Sequence, residues 1–260
     1  MIVESNQIIR LNNVSLYFGE DTVLNNVNWE ISRGDKWILF GRNGSGKSKL
    51  LEIILGYHYS SSGEVYRFSD LYSDVRSFRR RAGYVGSFLK NMIYPAERAI
   101  DVVTGSLFAE IGLYTIASDA DIEKSYSLIE KVGLLHRANH YYKLLSDGEK
   151  QKILAARAFI TDPDIVFFDE PTAGLDIAAR EDFLQAMQNL CSDKNHAVVF
   201  VTHHTEEILP VFDKVLMLNC GKVLYNGDIE GGINSCKLSE LFTREIKIEK
   251  ISGRYYSFVV

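Results

Sequence analysis

Short apolar runs broken by glycine and asparagine shape the first part of the chain. Ile8-Ile9-Arg10-Leu11, Val14-Ser15-Leu16-Tyr17-Phe18 and Val23-Leu24-Asn25-Asn26-Val27-Asn28-Trp29-Glu30-Ile31 predict three short strands with turns between them. Trp37-Ile38-Leu39-Phe40 is continuously apolar, the pattern of a strand buried on both faces. Lys49-Leu50-Leu51-Glu52-Ile53-Ile54-Leu55 then changes to helical spacing and ends at Gly56, a C-cap residue type. Glu64-Val65-Tyr66-Arg67-Phe68 and Ala82-Gly83-Tyr84-Val85-Gly86 predict two more strands, with a basic loop or short helix at 75–81. From about residue 89 to 145 helical spacing dominates, which predicts a helical subdomain inserted into a sheet domain. In it Ile122, Tyr126, Ile129 and Val132 form one apolar stripe, capped by Asp119 or Asp121 and ended by Gly133. A second helix starts at Leu145-Ser146-Asp147-Gly148-Glu149, where Ser146 and Glu149 fit a capping box, and stops at Asp162-Pro163. Two further apolar runs, Ile165-Val166-Phe167-Phe168 and Ala197-Val198-Val199-Phe200-Val201, end in polar residues. Val215-Leu216-Met217-Leu218 and Val223-Leu224-Tyr225 predict a closing hairpin, and the pattern assigns nothing after Lys237.

Gly41-Arg42-Asn43-Gly44-Ser45-Gly46-Lys47-Ser48 lies between the apolar strand and the helix that follows it. It fits G-x-x-x-x-G-K-[ST], a loop whose backbone N–H groups cradle phosphates. The glycines let those groups turn inward and approach an anion, and the helix N-terminus adds partial positive charge. Lys47 would reach the β- and γ-phosphates of a nucleotide, and the Ser48 hydroxyl would ligate Mg²⁺. Asp169, at the end of an apolar strand, suits the second Mg²⁺ ligand. Glu170, one residue on, points elsewhere and would orient and deprotonate water. His203, at another strand end, suits a contact to phosphate or to that water, whereas His204 should face the opposite side. Near Phe18 an aromatic ring is either a stacking surface for a base or part of the core.

Composition narrows the class. The chain has 260 residues, of which 46% are hydrophobic and 24% charged, ordinary values for a globular protein. A net charge of −5 argues against a generic nucleic-acid binder; Arg79-Arg80-Arg81 is a local basic triplet that reads as a solvated loop. Three scattered cysteines, Cys191, Cys220 and Cys236, suit a reducing compartment. No run of 18 apolar residues exists, and Met1-Ile2-Val3-Glu4-Ser5 lacks the features of a signal peptide. A cytosolic chain is expected, with any membrane spanning left to other subunits.

With these motifs in this order, the chain resembles the ATP-binding subunit of an ABC transporter from about residue 7 to 227. Leu145-Ser146-Asp147-Gly148-Glu149 is similar to the family's LSGGQ signature, Ile165 to Glu170 to its Walker B strand, Ala173-Gly174-Leu175-Asp176 to its D-loop, and His203 to its switch histidine. Phe18 matches the aromatic that stacks on adenine, with Tyr17 as second choice. The resemblance implies an α/β fold: a P-loop NTPase (RecA-like core) with an antiparallel β subdomain and an inserted helical subdomain. It implies one ATPase domain over residues 1–240, with helices at about 89–160 and a tail at 241–260 of no assigned role. It further implies ATP and Mg²⁺ as cofactors and a head-to-tail homodimer on ATP binding. Ser146 and the Gly148 N–H would then meet the γ-phosphate held by the opposite copy, with Glu170 as general base. Partners would be integral membrane permease subunits rather than nucleic acid, at the inner face of the cell membrane.

Several positions depart from the family pattern. Asp147 and Glu149 alter the signature, and Lys49, counted with the nucleotide-binding residues, stands where Thr is common. The Q-loop glutamine is missing, its place held by Ser87 or Lys90. Trp29, Trp37 and the stretch Ala109-Glu110-Ile111-Gly112-Leu113-Tyr114 look like a subgroup labelled molybdate-type ATPases. Two other functions compete with a transporter motor. A soluble ABC ATPase acting on nucleic acid or ribosomes would usually carry coiled-coil insertions or a second cassette. A small-molecule kinase has no need of the signature or of Glu170.

Overall fold

A computed structural model describes residues 6–71, 73–192 and 195–260 and leaves the side chain of Ser87 undescribed; the pentapeptide Met1-Ile2-Val3-Glu4-Ser5 lies outside the described residues. In chain order the elements are β1 (Gln7–Phe18), β2 (Asp21–Ser32), β3 (Lys36–Gly41), α1 (Lys47–Ile54), β4 (Ser62–Arg67), α2 (Val75–Arg80), β5 (Ala82–Val85), α3 (Ser87–Met92), α4 (Ala99–Thr104), α5 (Asp119–Lys131) and α6 (Asp147–Phe159). There follow β6 (Ile165–Asp169), α7 (Ile177–Cys191), β7 (Ala197–Thr202), β8 (Lys214–Asn219), β9 (Lys222–Asp228), α8 (Ile229–Gly232), α9 (Ser235–Phe242), β10 (Ile246–Ile251) and β11 (Arg254–Val259). The chain forms two compact units, Met1–Arg79 with Ala197–Val260, and Arg80–His196. Among the described residues no helix is long and apolar enough to cross a membrane.

In the first unit β3 runs parallel to both β7 and β8, and β9 closes antiparallel on β8. Every residue of β3 and β7 is buried, as a parallel strand covered on both faces requires. A second sheet, in the order β2-β1-β4, is antiparallel throughout. The first two expected strands prove to be one. Asn13 takes a positive φ of 50° and shifts the register between Leu11 and Val14, so a bulge stands where a turn is expected. Trp29 meets Trp37 edge-on, with centroids 5.4 Å apart, tying this sheet to β3. Arg67 is buried and donates to the carbonyls of Ile53 and Ile54 at 2.8 and 2.7 Å, satisfying the C-terminal end of α1 with a cation.

The arginine triplet is not a solvated loop. Arg79 donates to the Leu55 carbonyl at 2.8 Å and covers the Tyr57 ring, while Arg81 pairs with Asp164 at 2.6 Å within the second unit. The tail, to which the pattern assigns nothing, folds as α9 and the β10–β11 hairpin. It buries Leu238, Leu241, Ile246 and Tyr255 in the first unit.

The second unit pairs β5 with β6 in parallel and surrounds them with helices. The cap of α5 is Ser118, not Asp119 or Asp121. Its hydroxyl accepts from the Asp121 N–H, and the Asp121 carboxylate accepts from the Ser118 N–H. The expected helix start is thus displaced by one residue because a serine there completes a reciprocal box. Arg157 of α6 is buried and donates to the carbonyls of Val102, Glu110 and Ile111, fixing the irregular stretch after α4. Burial lowers its pKa to about 10.

Candidate functional site

The end of β3 delivers the chain into residues 41–46. Ser45 N–H closes a turn on the Arg42 carbonyl at 3.1 Å, and the Ser45 carbonyl accepts from Gly221 N–H at 3.1 Å. Gly46 adopts φ 100°, where a side chain is strained, and a Cβ there would lie 2.7 Å from Leu24 and 2.9 Å from the Val23 carbonyl. A Cβ on Gly41 would lie 2.6 Å from the Ser45 hydroxyl. Both positions therefore need glycine for space, and Gly46 also for conformation.

The α1 helix that follows has no side-chain cap and no acid in its first turn. A helix N-terminus of this kind carries partial positive charge and attracts an anion. Lys47 is 4% exposed, and its ammonium donates to the carbonyls of Gly41 and Arg42 at 2.8 and 3.1 Å. Among the described residues the buried Ser45 hydroxyl has no hydrogen-bond partner. A buried cation folded over its own loop beside an unsatisfied hydroxyl is a cradle built for an anion. Ser48 is exposed at the helix start, and Lys49 pairs with Glu52 at 2.7 Å. Arg42, Asn43 and Gly44 are exposed at the loop tip.

Register brings other residues to the same edge of the first unit. Phe40 pairs with Thr202 across β3 and β7, so His203 leaves its strand beside the start of the loop. His204 does not face the other way. The pleat ends at Thr202, and the two imidazoles lie 4.1 Å apart. Phe18 is 45% exposed at the end of β1 with its ring 5.4 Å from that of His58, so it is not a core aromatic.

The remaining candidates lie in the second unit. Asp169 ends β6 half-buried, with the Tyr84 hydroxyl 3.4 Å from its carboxylate. Glu170 has φ 45°, a left-handed backbone that costs a non-glycine residue on the order of 1 kcal/mol. Its carbonyl accepts from Ala173 N–H at 3.1 Å, and the turn runs on to Asp176, which caps α7. Ser146 caps α6 in the expected box: its hydroxyl accepts from Glu149 N–H at 3.2 Å and its own N–H donates to Glu149 at 2.8 Å. Gly148 is buried in the first turn.

Charge around that helix end was not legible in the motifs alone. Asp147 pairs with Lys90 at 3.0 Å and lies 3.7 Å from Lys150, and Glu149 pairs with Arg137 at 3.2 Å. The Lys90 ammonium, by hydrogen bond and by charge, holds the Asp147 carboxyl below the usual carboxylate range. Burial pushes Glu149 up, but the Ser146 N–H and the Arg137 charge outweigh it, and its carboxyl too lies low. Burial raises the Tyr142 hydroxyl, which finds no hydrogen-bond partner among the described residues. The available signal was the opposite sign of the two departures, lysine at 90 and aspartate at 147.

Mg²⁺ suits the donors the chain offers. The Ser48 hydroxyl and the Asp169 carboxylate, each in its own unit, are hard oxygen donors of the kind Mg²⁺ takes.

A sequence profile described as ABC transporter matches residues 24–173. The chain is 36% identical over 245 residues to the uncharacterized ABC transporter ATP-binding protein YlmA of Bacillus subtilis, covering 93% of each. It is 31% identical over 225 residues to the glutamine transport ATP-binding protein GlnQ of Escherichia coli, covering 85% of this chain and 91% of that one. It is similar to a solved structure of the ATP-binding cassette MJ0796, a dimer in a post-hydrolysis state bound to ADP and Pi. There the TM-score is 0.71 and the identity 27%, over 85% of this chain and 99% of that one.

Proposed function

The chain belongs to the ABC transporter family of ATP-binding proteins, and from that premise we propose that it is the motor subunit of a transporter whose membrane-spanning parts are separate chains. It is an ATPase with the P-loop NTPase fold, an antiparallel β sheet and a helical subdomain. One observation carries the nucleotide assignment: the glycine cradle that leads into an uncapped helix end over the buried Lys47 ammonium.

In this proposal Gly41, Arg42, Asn43, Gly44, Ser45, Gly46, Lys47, Ser48 and Lys49 surround the phosphates, and Phe18 stacks on adenine. Lys47 swings from its own carbonyls to the β- and γ-phosphates, exchanging neutral acceptors for anionic ones. Ser48 and Asp169 would hold Mg²⁺, which would supply positive charge against the phosphates. Glu170 takes the proton of the attacking water, and His203 steadies that water against the γ-phosphate. Two copies face each other head to tail, so that Ser146 and the Gly148 N–H of one meet the γ-phosphate on the other. Closure and release of that dimer at the inner face of the membrane then drive the permease.

Phosphoryl transfer needs little beyond positioning and charge, which is what these groups supply. Lys90 and Lys150 balance the carboxylate that Asp147 adds near an incoming phosphate.

The Glu170→Gln variant tests the scheme, because it keeps the shape of the site and removes the base. Size-exclusion chromatography with ATP and Mg²⁺ should show a stable nucleotide-loaded dimer, with turnover lowered at least about 10²-fold. A monomer under those conditions, or turnover like that of the unmodified protein, would overturn it.

A further inference from the structure

The C-terminal hairpin reaches the segment that carries His203. After Thr202 the chain makes a tight turn over residues 203–208. His204 N–H donates to the Thr202 hydroxyl at 3.0 Å, that hydroxyl donates to Glu207, and Ile208 N–H donates to the Thr205 carbonyl at 3.2 Å. Thr205 and Glu207 are buried. Strand β11 lies against this turn from outside. Arg254 donates to the Glu206 carbonyl through Nε at 2.8 Å and through Nη2, and the Thr205 hydroxyl donates to that of Ser257 at 3.0 Å. Gly253 sits so near Pro210 that a Cβ there would be 3.2 Å from the proline ring.

The hairpin is itself anchored. Ile246 and Tyr255 are buried, Ile246 N–H donates to Ser239 at 2.9 Å and Ile248 N–H to Ser235 at 3.2 Å, both on α9. A guanidinium that spends two donors on one backbone carbonyl fixes that carbonyl in direction as well as distance.

We propose that the β10–β11 hairpin is a brace for the switch turn, with Arg254 and Ser257 as positioning residues that set the placement of the His203 imidazole. The inference rests on the assignment of His203 to the γ-phosphate. Both residues act through the backbone and hydroxyl of residues 205–206 and stand outside the proposed nucleotide-binding set, so loss of the brace should lower the rate of the chemical step and leave nucleotide binding alone. Displacing a catalytic group by about 1 Å can cost up to about 10²-fold in rate.

The test uses the full-length chain and steady-state ATP hydrolysis, with ADP affinity and thermal unfolding measured alongside. Arg254→Ala should lower kcat roughly ten-fold while KM and ADP affinity stay within about two-fold. Arg254→Lys, which keeps one donor to the carbonyl, should recover most of the loss. Ser257→Ala should show a smaller fall in kcat of the same kind. On a His203→Ala background, Arg254→Ala should have no further effect, because both changes remove the same placement.

If His203→Ala leaves kcat intact, the site assignment fails and takes the brace with it. If His203→Ala lowers kcat but Arg254→Ala does not, or if the two losses multiply in full, the brace alone is overturned. Should Arg254→Ala not fold, Ser257→Ala decides, and an unchanged kcat there overturns the inference.

Discussion

Lys47 shows how a single side chain can be stored for use. Its ammonium lies buried against two carbonyls of its own loop, so the chain holds a cation where an anion is expected. Truncating it removes both the charge and the donors. We expect Lys47→Ala to weaken ATP binding by at least about 10²-fold, as loss of a charge-assisted contact of about 3 kcal/mol implies. Titration with a fluorescent ATP analogue measures this, and unchanged affinity would remove the loop from the nucleotide site. Residues of this kind were legible because their motif is local: glycines, lysine and serine within eight positions. Arg254 was not, because it recognises a backbone carbonyl and so leaves no partner side chain in the sequence. The pairing of Lys90 with Asp147 was not legible for a related reason: the two lie in separate segments, and only folding brings them to 3.0 Å.

At the scale of elements, continuous apolar runs gave β3, β6 and β7 without ambiguity, since parallel strands are buried on both faces. β1 was split by a bulge at Asn13 that looks like a turn. β10 and β11 were invisible because lysines, glutamate and exposed aromatics blur the two-residue period. The capping box of α6 was read correctly, and it permits two measurements. Ser146→Ala should destabilise the protein by about 1 kcal/mol, as loss of an N-cap does, in equilibrium unfolding by urea.

The acids of the same box make an acid-range prediction. Asp147 and Glu149 are lower in the fold than in the unfolded chain. The stability they add is therefore complete above the unfolded values, near 4, and is lost as pH falls through the lower folded values. Glu149→Gln keeps the reciprocal hydrogen bond but cannot titrate. It should be less stable than the parent at about pH 6 and lose less on acidification to about pH 3. Parallel acid limbs in thermal unfolding would contradict this.

For the whole molecule, the division of labour between the two units matters most. The first holds the phosphate loop, Phe18 and His203; the second holds the acids of β6 and the capped end of α6. The second also exposes Phe88, Tyr94, Tyr114, Ile116, Tyr141 and Leu144, large apolar side chains that suit an apolar partner. A tagged full-length chain purified in mild detergent should bring down a hydrophobic integral membrane protein. Recovery with RNA or DNA instead would favour the soluble alternative. An acidic chain argues against that outcome.

Lys90 and Asp147 also constrain how this cassette can have diverged. Glycine at 147 alone takes the carboxylate from Lys90, and an uncharged residue at 90 alone leaves Asp147 to Lys150. A lineage that exchanges this pair for uncharged residues passes through a step with one of the two charges alone, or changes both codons close together. The two positions are in that sense one inherited character, and homologues should carry both or neither.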